Sequence, residues 1–154
     1  MHFNVKEDII QLTPLWKGER FEDGRPKVSD EDISELKKLT QEQIWESLWE
    51  NDYKNQFESH LMRIHEDDRK LIGRAVTAAY IPSRPDLFDV VEEIGHSEGR
   101  KGTHNLWVVD KLVDGDVAVV DMYDKVYEGT FVGGNLSTAI STNTKTGGAV
   151  IWGG

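Results

Sequence analysis

The stretch Gly129–Gly154 reads GTFVGGNLSTAISTNTKTGGAVIWGG. It spells a glycine-rich loop, a short helix, a glycine stop and an apolar strand. Gly133 and Gly134 allow a tight backbone turn and close approach of a ligand. Asn135 is a good helix N-cap. Leu136, Ala139 and Ile140 fall on one helical face. Lys145 lies near the helix end, and Gly147 and Gly148 stop it. Ala149–Trp152 is predicted as a buried strand. A glycine loop feeding a helix leaves backbone N–H groups at the positive end of a helix dipole, where a carboxylate or phosphate can bind. The same pattern also serves as an ordinary loop–helix connection.

Working back from that stretch, Val117–Val120 is predicted as a second buried strand, preceded by a tight turn at Asp114–Gly115. Tyr123–Tyr127 is expected to pair with a neighbouring segment. Asn105–Leu112 is ambiguous between helix and strand. A short helix capped by Thr103 or Asn105 is favoured, because Leu106, Val109 and Leu112 recur every three residues. Asp86 is expected to cap a helix carrying Leu87, Val90, Val91 and Ile94 on one face, ended by Gly95 or Gly99. Leu71–Ile81 is predicted as a strand ended by Pro82, with Gly73 marking a bulge or a close backbone approach. Residues 50–70 are polar and mixed.

Toward the N-terminus, Thr40 with Gln43 forms a capping box ahead of Ile44, Trp45, Leu48 and Trp49. That stripe predicts burial of both tryptophans against the core or another subunit. Ser29 with Asp32 opens an earlier helix whose buried face is Ile33, Leu36 and Leu39. Residues 1–28 show no clear periodicity. They read as an arm anchored by Leu12, Leu15, Trp16 and Phe21, leaving 29–154 as the main domain. Helices alternating with short apolar strands give an α/β class.

Composition narrows function. The chain has 154 residues, 38% of them hydrophobic, and a net charge of −10. That balance argues against non-specific binding of nucleic acid or of an anionic membrane. There is no cysteine, hence no disulfide and no thiolate metal site. No apolar run approaches a membrane-spanning length, and the charged N-terminus does not read as a signal peptide. A cytoplasmic location is expected. His2, His60, His65, His96 and His104 form no metal-ligand spacing, and no nucleophile elbow, Walker loop or dinucleotide fingerprint is present. Asp110, Asp114, Asp116, Asp121 and Asp124 crowd the region before the glycine loop. An oxygen-only site for Mg²⁺ and hydrogen-bonded structural roles are both open to them.

Several stretches resemble the RraA-like family, which includes the regulator of ribonuclease activity A and the 4-hydroxy-4-methyl-2-oxoglutarate aldolases. These are IGRAVTA (Ile72–Ala78), RPDLFDVVEEIG (Arg84–Gly95), DGDVAVVD (Asp114–Asp121) and the closing stretch quoted above. LTPLWKGERFEDGRPKVSD resembles the arm of a longer branch, often labelled demethylmenaquinone methyltransferase. The resemblance implies a layered α/β swivelling-domain fold, incomplete at the C-terminus, in a homotrimer or hexamer. It implies a divalent metal, Mg²⁺ or Mn²⁺, and a small pyruvate-type 2-oxo acid substrate. The carboxylate cradle would be Gly133, Gly134, Asn135 and Leu136. The sequence departs from the family pattern where Gly134 replaces the loop Asp and Trp152 the Asp before the closing glycine pair. It also ends before the Arg-Asp pair that holds substrate and metal. A truncated or catalytically impaired lyase is therefore expected. A non-catalytic regulator of a ribonuclease-type partner is the alternative.

Overall fold

The computed structural model describes residues 5–64, 69–124 and 129–153. The chain forms two compact units, Met1–Lys54 and Asn55–Gly154. The arm expected over 1–28 shares its unit with the two helices assigned above to the main domain.

The first unit holds α1 (Lys6–Leu12), α2 (Asp30–Leu36) and α3 (Gln41–Glu50). Helix α1 has no counterpart in the sequence reading. The turns after it converge on Arg20, whose guanidinium donates to the Thr13 hydroxyl and to the carbonyls of Thr13, Trp16 and Gly24. Trp16 and Phe21 are half-buried, but Leu12 and Leu15 are exposed rather than anchoring. Both caps form as their residue types dictate. Ser29 accepts from the Asp32 amide, and Thr40 and Gln43 make the reciprocal box.

The expected burial of α3 is not seen within the chain. Ile33 of α2 is buried, whereas Trp45 and Trp49 are 42% and 44% exposed. The two indoles stack on each other with centroids 5.4 Å apart, and the Lys54 ammonium lies 4.3 Å from the Trp49 ring centre. Periodicity created the stripe; Ile44 and Leu48 are half-buried, but no described element of this unit covers the two indoles.

The second unit contains β1 (Arg74–Ala79), α4 (Pro85–Ser97), α5 (His104–Val109), β2 (Asp116–Asp121), α6 (Gly134–Thr144) and β3 (Gly148–Trp152). The strands form one parallel sheet in the order β1-β2-β3. It is a mixed α/β arrangement, since parallel neighbours need crossovers and the helices supply them. Val76 of β1 and Ala118 and Val120 of β2 meet Val109, Leu112, Phe131 and Ile140 in one buried cluster. β3 is an edge strand and only half-buried, short of the burial expected for Ala149–Trp152.

The sheet is tied at its N-terminal end. Asp116 is fully buried and accepts from Arg74 Nε and from the Val113 amide, each at 3.1 Å. Gly115 turns with φ +79°, as an Asp-Gly turn requires. Gly73 runs so near this turn that a Cβ there would lie 2.5 Å from the Gly115 carbonyl oxygen. That close approach is what a glycine inside an apolar run suggested.

Helix α4 differs in its cap. Pro85 sits at the first helical position, so Arg84 is the N-cap, and Asp86 instead ion-pairs with Arg84 at 2.5 Å. The helix ends in a Schellman motif. Gly99 has φ +78° and donates to His96, while Arg100 donates to Gly95. Gly95 is buried against Trp107, but Leu87, Val90, Val91 and Ile94 are all exposed. The expected pairing of Tyr123–Tyr127 falls largely outside the described residues.

Candidate functional site

In a parallel sheet the loops at the C-terminal strand ends are where ligands meet the fold. The loop after β2 delivers Gly133–Leu136. Its approach is anchored by Phe131, which is 2% exposed in the core. Asn105 Nδ2 donates to the Phe131 carbonyl at 3.0 Å, fixing the loop to the start of α5. Beyond this anchor Gly133, Gly134 and Asn135 are exposed, and Leu136 is half-buried beside the core.

Asn135 is not the N-cap. Gly133 takes that position with φ −118° and ψ −171°, and Gly134 is the first helical residue. The Ser137 amide donates to the Gly133 carbonyl at 3.0 Å, so helical bonding already starts at Gly133. With glycine at the cap, no side chain satisfies the first-turn amides. Those of Gly134, Asn135 and Leu136 lie ahead of the intrahelical ladder, at the positive end of an 11-residue helix.

Neither glycine turns tightly. Neither has a positive φ, and a Cβ built on either would meet nothing within 4 Å. The chain's own packing thus does not demand glycine at 133 or 134. The pair leaves open space at both Cβ positions, beside three amide donors. That arrangement can accept a carboxylate or another small anion.

The five carboxylates before the loop do not form one centre. Asp116 is consumed in the buried pair with Arg74, Asp114 lies 3.3 Å from Lys145 Nζ, and Asp121 is exposed with Oδ1 accepting from the Tyr123 amide. Among the described residues no three His, Cys, Asp or Glu side chains come together as metal ligands. The described residues do not by themselves supply a ligand set for the Mg²⁺ or Mn²⁺ that the resemblance implies.

Two polar atoms are buried with no hydrogen-bond partner among the described residues, the Tyr80 hydroxyl and His104 Nε2. Tyr80 follows β1 and its ring lies 5.8 Å from that of Phe131. Burial pushes its phenol up to about 12, so it stays protonated at neutral pH. His104 is wedged between Phe88 and Trp107, with ring centres 4.7 and 4.6 Å away. The sequence reading missed Tyr80 and the Arg74–Asp116 pair. The one signal for the pair was an arginine opening an apolar strand.

No protein-family model, curated protein or solved structure matches the chain. No described helix is long and apolar enough to cross a membrane.

Proposed function

We propose that this chain is an RraA-like protein that binds the carboxylate of a small pyruvate-type 2-oxo acid at Gly133, Gly134, Asn135 and Leu136. The observation that carries the reading is the uncapped, exposed first turn of α6, with open space in front of both glycines. The class of reaction is the carbon–carbon lyase chemistry of the aldolases and decarboxylases in that family. In it, negative charge builds on the pyruvate oxygen as the bond breaks. Gly134 stands where the loop of that family has an Asp, so one charge contact is absent from this loop. Losing one oriented charge contact costs about 3 kcal/mol of transition-state stabilisation, a rate loss of roughly a hundredfold. The first-turn amides of α6 hold the carboxylate of the acid.

The test is pyruvate release with added Mg²⁺ or Mn²⁺, on residues 1–154 and on a chain extended through an Arg-Asp pair. Slow release by the first and faster, metal-dependent release by the second is expected. Equal rates would put the catalytic residues elsewhere.

A second reading, a regulator that docks on a ribonuclease-type partner, is favoured by α4. Its exposed stripe of Leu87, Val90, Val91 and Ile94 runs beside Asp86, Asp89 and Glu93. Exposed apolar surface on α3 and α4 equally supports a homotrimer or hexamer. The acidic composition and lack of cysteine support a cytoplasmic location.

A further inference from the structure

Within the second unit, α5 and α6 pack on one face of the sheet. Val76, Ala118, Val120 and Ile151 join the core with α5 and α6. The alternate residues point the other way. On that side an open groove of about 500 Å³ is floored by Thr77, Val119, Val150, Asp121 and Trp152, with Glu58 on its wall. The volume lies within the usual range for small-molecule sites.

The register fixes the chemistry of the floor. Thr77 pairs with Val119, and Val119 with Val150, giving a row that is apolar apart from the Thr77 hydroxyl. One row further along, Asp121 pairs with Trp152. Side chains of paired residues on neighbouring strands stand about 5 Å apart on one face. A carboxylate and an indole are therefore side by side at the end of an apolar floor. Both are exposed, Trp152 to 42%. Asp121 Oδ1 accepts from the Tyr123 amide, and no described residue bonds Oδ2. Glu58 adds a second carboxylate, which accepts from the amide and ring of His60. Among the described residues no lysine or arginine lines the groove.

We propose that this groove binds a small organic ammonium ion, held between the Asp121 carboxylate and the Trp152 indole over the floor of Val119 and Val150. A carboxylate supplies charge, an indole face attracts the cation, and the valines accept its methyl or methylene groups. An anion would meet two carboxylates and, among the described lining residues, no lysine or arginine. A bare metal would find too few ligands among the described residues. A second copy of the same face would set Asp121 and Glu58 against their equivalents, a like-charge contact that costs affinity. The site is independent of the α6 cradle.

The test uses choline and its neutral carbon isostere, dimethylbutanol, read by calorimetry and by the Trp152 indole resonance assigned with W152F. Choline should bind and shift that resonance, and the isostere should not. D121N and W152L should each weaken binding by about tenfold or more, with unchanged circular dichroism. E58Q serves as a second charge variant and should weaken binding less. Absence of choline binding, equal binding of the isostere, or unchanged affinity in both D121N and W152L would overturn the proposal.

Discussion

Replacing Asp116 with alanine removes the buried carboxylate beside the Arg74 guanidinium and leaves that cation its hydrogen bond to the Asp114 carbonyl. The Asp116 carboxylate is fully buried, and the Arg74 side chain opposite is only 10% exposed. Removing one partner of a buried pair costs about 3–5 kcal/mol, because the remaining charge stays desolvated. The Val113 amide also loses its acceptor at 3.1 Å, for about 1 kcal/mol or more. The two losses overlap, since some of the first figure already includes unmade hydrogen bonds. A total of about 4 kcal/mol is a large share of the 5–15 kcal/mol that holds a typical domain together. The damage should centre on the start of β1 and β2, which this pair joins at Arg74 and Asp116. Urea unfolding followed by circular dichroism measures it. D116A should shift the midpoint sharply, while the charge-free double variant R74M/D116L should recover much of the loss. A D116A cost below about 1 kcal/mol would refute the buried-pair reasoning, since that is the worth of a surface pair.

Tyr80 gives a pH dependence. Its phenol is raised to about 12 from an ordinary 10 by burial. A raised acid contributes stability that is complete below pH 10 and is lost as pH climbs toward 12. Y80F should abolish that alkaline loss and leave stability at pH 7 equal or slightly higher, because a buried hydroxyl with no partner among the described residues is removed; a clear loss at pH 7 would reveal a hydrogen bond on that hydroxyl. Gly147 is tightly enclosed. An added Cβ would sit 1.7 Å from the Asp116 carbonyl oxygen, a backbone atom with no rotamer to yield. G147A should cost about 3 kcal/mol by thermal or urea melts, the upper range for overpacking, and a neutral G147A would mean that β2 and the α6–β3 turn move apart freely.

Local signals were legible in the sequence because their physics is local. The Ser29–Asp32 cap and the Thr40–Gln43 box need only residues three apart. The three strands showed as short apolar runs, and Gly73 announced its close approach. Cap positions failed where glycine or proline shifted the start. Gly134 tolerates the helix, so bonding began at Gly133 and Asn135 moved inside. Pro85 fixed the first helical residue and displaced Asp86 in the same way. Burial was the least legible property. A stripe such as Trp45 and Trp49, or Leu87, Val90 and Ile94, states that a face is apolar and not what covers it. The Arg74–Asp116 pair joins residues 42 apart, beyond any periodicity. Gly133, Gly134, Asn135 and Leu136 lie together at the start of α6, where the glycines leave room rather than turn the chain.

The most direct test of the central claim is a titration of the isotopically labelled chain with oxalate at low salt, followed by amide resonances. The account predicts saturable shifts concentrated on Gly134, Asn135 and Leu136, the first-turn amides of α6. These shifts should fade as ionic strength rises. Saturable binding that leaves those three amides unmoved, or no binding at millimolar oxalate, would contradict it.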